Sequence, residues 1–462
     1  MLDEIKIDIR AKVERLRKLT NPDGGIPAYL EQDESGVWAS AEVLFLLIEN
    51  GAVHRKDELV GRIARFIETH QHEDGGWSYR TQGNSFTDPT GWALIALSLC
   101  PDQEARLIKG AEFLLLMQHE DDRREDGWGI QAGENDRTYS TAVAITALSR
   151  LRVHEGFARA WGDLGRVDDA IRGGLQHLLA ARNPDRGWGP RAGAVSNAAS
   201  TAHALQCLLR HGADPAQHRA SLDYLLGCRV MGKYLWESVD EVLPLKMGLE
   251  VTMQWFAQPE CLKVLLLFGE CGMVEVGVIS QATQGLLSFA VPDQGTVTYS
   301  PSAPHKAYSW TIPHYLEALC LARAFLLKRK RDFDRYLTGV RHEQEDQRRK
   351  RLHVRLEDEA PFPVAEVFFS LQSGDRSPDS IPPDDPLDRD ADRVLRVGGN
   401  RGLLARIGQA GGALVRDHKS TRSSHVRSVV RDPGADLGWG AQRVGSGASG
   451  ADVSRSPYQG SR

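Results

Sequence analysis

The chain has little that would commit it to a disulfide scaffold, a membrane or a nucleic acid. Its six cysteines (Cys100, Cys207, Cys228, Cys261, Cys271 and Cys320) are scattered, and none forms a CxxC pair. That spacing excludes a disulfide framework or zinc ribbon and predicts reduced thiols, several of them inside apolar helices. No apolar run approaches the ~20 residues needed to span a bilayer. The formal net charge of −5 gives no general attraction to nucleic acid. The opening Met1-Leu2-Asp3-Glu4-Ile5-Lys6 has acids where a secretory leader would have a basic end and an apolar core, so the expected location is the cytoplasm. With 41% hydrophobic and 26% charged residues, the composition is that of a soluble globular protein.

What the chain does have is a recurring phrase. Gly24-Gly25-Ile26, Gly75-Gly76-Trp77, Gly127-Trp128-Gly129 and Gly187-Trp188-Gly189 each precede an apolar segment. Those segments open alike: Ser40-Ala41-Glu42-Val43-Leu44, Thr90-Gly91-Trp92-Ala93-Leu94, Thr141-Ala142-Val143-Ala144-Ile145 and Thr201-Ala202-His203-Ala204-Leu205. A period of roughly 50–60 residues marks an array of supersecondary units, none able to bury its apolar face alone. Each unit reads as two helices. One is amphipathic, as in Leu59, Val60, Ile63, Ala64, Phe66 and Ile67. The other, after the Gly-Trp turn, is apolar all round and is expected to be buried on every side. The Ser or Thr before each apolar run suits a helix N-cap. Two further pairs, residues 219–229 with 255–270 and 273–290 with 308–327, bring the number to six, and no strand alternation is evident between them. The all-round apolar inner helices favour a closed ring over an open solenoid.

The details of the repeat resemble the "QW" repeat of the squalene-cyclase and prenyltransferase superfamily. Lys109-Gly110-Ala111-Glu112-Phe113-Leu114, Gln118, Gly127 and Trp128 form one copy; Gly61, Phe66-Ile67, Gln71, Gly76 and Trp77 form a second; Gly173, His177-Leu178, Gly187 and Trp188 form a third. The resemblance covers about residues 15–328 and implies an all-α (α/α)6 toroid. It also implies a structural role for Gln71, Trp77, Gln118 and Trp128, tying neighbouring outer helices together. The expected organisation is therefore a toroid over 1–328, a charged helix and short packed segment over 329–372, and a disordered tail over 373–462, which is rich in Asp, Arg, Gly, Ser and Pro.

Members of the class II terpene cyclase branch protonate an alkene with an Asp-x-Asp-Asp-Thr-Ala motif at the start of an inner helix. No unit here keeps it. Phe86-Thr87-Asp88-Pro89 places Asp88 alone in the register of the middle acid, where a capping or turn role competes with a catalytic one. A helix N-terminus lowers a carboxyl pKa, so Asp88 is expected to be a poor proton donor. The protein prenyltransferases of the superfamily use a zinc held by Asp, Cys and His. The nearest pair here, His203 and Cys207, has no acid beside it, so neither metal nor cofactor is expected.

Aromatic residues near the inner-helix starts, Trp38, Trp92, Tyr139, His203, Trp255, Tyr308 and Trp310, are the candidate lining of a central pocket, together with His314 and Tyr315. Asp88, Glu134, Asn135, Asp136, Arg137, Asn197, Glu237, Asp240 and Glu241 are candidate polar groups around it. The resemblance implies a terpenoid-cyclase-type isomerase or transferase, if an enzyme, with an isoprenoid or other apolar small molecule bound but not cyclised by this chain alone. Two alternatives stay open: a polysaccharide-cleaving α/α toroid using paired carboxylates, and a non-catalytic scaffold for a protein partner.

Overall fold

The structure is a computed structural model, and it describes residues 1–30, 33–51, 53–119, 127–131, 134–244, 250–291, 295–300 and 303–358. Six inner helices form a closed ring: α2 (Val37–Glu49), α4 (Thr87–Leu97), α6 (Thr138–Val153), α9 (Ala198–Arg210), α11 (Ala257–Glu270) and α13 (Thr311–Lys328). Each packs on the next, and α13 returns to α2. Six outer helices flank them: α1 (Leu2–Leu19), α3 (Glu58–Thr69), α5 (Glu104–His119), α8 (Gly165–Ala180), α10 (Arg219–Gly227) and α12 (Val276–Leu287). The short α7 (Glu155–Trp161) follows α6, and α14 (Lys330–Asp358) follows the ring. This is the expected (α/α)6 toroid.

Inner helices are buried on nearly every side because nearly every side is apolar; in α4, Ala93, Leu94, Ile95, Ala96 and Leu97 are all buried. Outer helices bury one stripe, as α3 does with Leu59, Val60, Ile63, Ala64, Phe66 and Ile67. The tryptophan of each turn joins the two layers. Trp77 donates its indole N–H to the Ile67 carbonyl at 2.8 Å, Trp128 to Leu114 at 2.7 Å, Trp188 to Leu178 at 2.7 Å and Trp236 to Leu225 at 2.8 Å. Gln71 donates to the Arg106 carbonyl on the next outer helix, and Gln118 to that of Ala170.

Two expectations change. The Ser or Thr before each apolar run does not cap its helix; the caps are Phe86, Arg137 and Asn197. Its hydroxyl instead accepts the backbone N–H of the turn: Ile26 to Ser40, Trp77 to Thr90, Trp128 to Thr141 and Trp188 to Thr201, all at 2.8–2.9 Å. The turn runs antiparallel to the helix entrance, and the buried N–H has no other partner to satisfy it. In the fifth unit Gln258 takes this part, accepting from Trp236 at 2.9 Å. The second change is strand. Among the described residues three antiparallel hairpins sit within units, each between the outer and the inner helix: β1 (Ile26–Pro27) with β2 (Ser35–Gly36), β3 (Val239–Pro244) with β4 (Glu250–Trp255), and β5 (Thr298–Ser300) with β6 (Ala303–Ala307). The expected tail over 373–462, and the short packed segment before it, lie outside the described residues.

Candidate active site

Every inner helix delivers one side chain from its first two turns to a single cavity of about 200 Å³: Trp38 from α2, Asp88 from α4, Tyr139 from α6, His203 from α9, Glu260 from α11 and His314 from α13. The β1–β2 and β3–β4 hairpins supply the remaining wall with Tyr29, Met253, Gln254 and Trp255, joined by Tyr79, Phe256 and Trp310. Of the expected lining, Trp38, Tyr139, His203, Trp255 and Trp310 reach the cavity. Trp92 and Tyr308 stand behind it. Trp92 donates its indole N–H to the Tyr139 hydroxyl at 2.8 Å, and Tyr308 stacks on Trp310 with ring centroids 5.8 Å apart. Tyr315 is buried elsewhere, beneath the Lys12 ammonium at 5.7 Å.

Of the candidate polar groups, Asp88 lines the cavity. The others do not line it. Arg137 is ion-paired with Glu241, Asn197 caps α9, and Asp136 accepts from the Gly127 amide. Asp88 itself corrects the sequence expectation. It is completely buried, and burial raises its carboxyl pKa above the usual value, with Ser140, Tyr79 and Arg137 only partly pulling it back. Desolvation thus outweighs the helix terminus. The Tyr79 hydroxyl donates to Asp88 Oδ2 at 2.8 Å, and Oδ1 has no hydrogen-bond partner among the described residues.

The floor of the cavity is a buried ionic lattice that the sequence reading missed. His314 lies between two carboxylates, with Nδ1 3.0 Å from Glu260 Oε1 and Nε2 3.1 Å from Glu42 Oε1. With both carboxylates ionised both nitrogens donate and the ring is the imidazolium, although burial pushes the Glu42 carboxyl above its usual range. Burial opposes that charge, but Glu42 and Glu260 together outweigh it and carry His314 up to about 10. Lys263 bridges Glu260 at 2.8 Å and Glu317 at 2.7 Å, and Gln206 donates to Glu260 Oε2 at 2.7 Å. Glu260 is held well below the usual carboxylate range, because Lys263 and the two histidines overcome its desolvation. The missed signal is a lone charge within an all-round apolar helix, as at Glu42 and Lys263. Among the described residues no cluster of His, Cys, Asp and Glu could hold a metal ion.

No protein-family profile matches the chain. Two curated relatives share the name drimenyl diphosphate synthase. The one from Streptantibioticus cattleyicolor is 26% identical over 220 residues, covering 47% of this chain and 39% of the relative. The one from Streptomyces showdoensis is 28% identical over 191 residues, covering 41% and 34%. The matched part of the chain therefore spans less than two fifths of each relative's length. Among solved structures, the type II terpene cyclase MstE from Scytonema, in complex with geranylgeranyl dihydroxybenzoate, aligns with a TM-score of 0.50 at 14% identity over 70% of this chain and 99% of that one. A glycosidase in complex with glucose aligns with a TM-score of 0.51 at 12% identity over 70% and 98%. At such identities the structures show the shared α/α toroid. The resemblance to the terpene-cyclase-like superfamily stands in sequence and in fold. Among the described residues no helix is long and apolar enough to cross a membrane.

Proposed function

We propose that the chain binds an isoprenoid in the aromatic cavity and begins its cyclisation by protonating an alkene with Asp88. The observation that carries this is Asp88 itself: a completely buried carboxyl, its pKa raised by desolvation, on the wall of a cavity lined by tryptophan and tyrosine. Alkene protonation needs a carboxylic acid that is neutral in the ground state and kept from water. The carbocation that forms needs π faces, and Trp38, Tyr139, Trp255 and Trp310 provide them. The expectation of binding without turnover rested on a helix terminus lowering the Asp88 pKa, and burial shifts it the other way. The similarity to drimenyl diphosphate synthases makes a prenyl diphosphate the first substrate class to try. The polysaccharide reading is weaker, because Glu134, Asp136, Glu237 and Asp240 do not line the cavity.

The test is incubation with geranyl, farnesyl and geranylgeranyl diphosphate and with squalene, followed by mass spectrometry of the products. Wild type is expected to give a cyclised isomer, and Asp88→Asn to lose about 100-fold or more of that rate, the scale of general acid catalysis. Unchanged turnover in Asp88→Asn places the acid elsewhere.

A further inference from the structure

A cyclisation that begins with a proton from Asp88 and ends in an alkene must also give a proton up, and the acceptor has to stand in the same dry cavity. This argument rests on the reading of Asp88 above. The cavity-lining groups separate sharply as bases. Both oxygens of Glu260 are occupied by donors, Lys263 and His314 on Oε1 and Gln206 on Oε2. His314 has both ring nitrogens engaged, Nδ1 with Glu260 and Nε2 with Glu42, and has no free nitrogen to offer. Glu34 is exposed at the rim, beside Arg80 and Thr81. His203 remains. Its Nδ1 lies 3.6 Å from Glu260 Oε2, and its ring makes no hydrogen bond among the described residues. Burial lowers its pKa to about 4, with Glu260 only partly opposing, so the ring is neutral. It stands against two of the aromatic walls, 4.8 Å from the Tyr139 ring centroid and 6.2 Å from that of Trp255.

We propose that His203 is the base that ends the reaction, its Nδ1 facing the Glu260 carboxylate and its Nε2 presenting the free lone pair. In the six-helix ring, α9 lies two places from α4, which carries Asp88, so the proton enters and leaves at different walls. The step balances without a co-reactant. The Asp88 O–H bond breaks as the alkene π pair forms the new C–H bond. After ring closure a C–H bond next to the cationic carbon breaks, its electron pair becomes the new C=C, and the proton bonds to His203 Nε2. The imidazolium formed faces the Glu260 carboxylate and returns its proton to water on product release. A neutral imidazole is a far stronger base than water, so water wins the cation only when His203 is gone.

The experiment compares wild type, His203→Phe and His203→Gln on whichever of the named prenyl substrates turns over, with products quantified by mass spectrometry. Both variants are expected to keep consuming substrate while the ratio of the wild-type alkene to hydrated or isomeric alkene products falls about tenfold or more. An unchanged ratio overturns the proposal and leaves the Asp88 reading intact. No turnover of any probe by wild type sinks the Asp88 reading and this proposal with it. Nitrogen-15 spectra of the histidine rings, with His203 identified by its loss in His203→Gln, add a measurement independent of turnover. In wild type the proton is expected on Nδ1, and Glu260→Gln is expected to shift that resonance. A proton on Nε2 in wild type also overturns the proposal.

Discussion

Thr141 carries a hydrogen bond that secondary-structure rules would assign differently. Its hydroxyl accepts the Trp128 backbone N–H at 2.9 Å, with both residues buried. Replacing Thr141 by Val keeps the shape and strands that N–H. The expected cost is about 1–3 kcal/mol of unfolding free energy, the penalty for a buried donor without a partner, read by urea denaturation. A variant as stable as wild type would show that the turn holds itself. His314 gives a pH signature. Its pKa is raised in the fold from 6.5 to about 10, by Glu42 and Glu260 against the opposing effect of burial. The ion-paired imidazolium therefore contributes fully below pH 6.5, and the contribution is lost as pH rises toward and through about 10. Unfolding free energy measured across that window should fall in wild type and stay flatter in His314→Gln. These two residues also mark where sequence was legible. Threonine at the head of each apolar run announced itself by recurrence, yet its partner belongs to a turn a dozen residues back. His314 was visible as a polar group near a helix start, whereas its partners Glu42 and Glu260 lie on two other helices, which only the closed ring brings together.

Among elements, the helix pairs were legible because apolar periodicity is local, and the hairpins were not. β3 and β4 mix Asp240, Glu241 and Pro244 with Glu250 and Gln254, a pattern without the clean alternation that marks a half-buried strand. They nonetheless place Trp255 in the cavity wall. Two glycines, one in a turn and one in a helix, separate packing from propensity. At Gly75 φ is +89°, and a Cβ would lie 2.3 Å from the Lys109 carbonyl oxygen of α5. Gly61 sits exposed within α3, and a Cβ there meets nothing within 4 Å. Gly75→Ala is expected to destabilise, since the turn and the neighbouring helix must both move. Gly61→Ala is expected to stabilise by up to about 1 kcal/mol through helix propensity alone. Thermal melts of the two variants should move in opposite directions; a shared direction would contradict the assignment of turn and helix.

At the scale of the molecule, closure of the ring depends on its ends. α1 packs on α13, the Ser309 hydroxyl donates to the Pro27 carbonyl, and Trp38 meets Trp310 with ring centroids 5.7 Å apart. Residues 375–462 have few apolar clusters with which to join this core. Their removal is expected to leave the melting temperature of the toroid nearly unchanged, and a large drop would show that they pack on it. The number of units could be counted along the chain; that the sixth returns to the first follows from which faces are left apolar at both ends.

That closure also sets the timetable of synthesis. α1 is made before the other ring helices, but its buried stripe of Ile5, Ile9 and Leu16 is covered by α13, which is made last of them. At roughly 5–20 residues per second, the interval is on the order of tens of seconds. Throughout it the nascent chain carries an apolar stripe without the helix that buries it. Any product that stops short of Thr311 keeps that helix uncovered permanently, so prematurely terminated chains should accumulate as aggregates or chaperone clients while the finished ring does not.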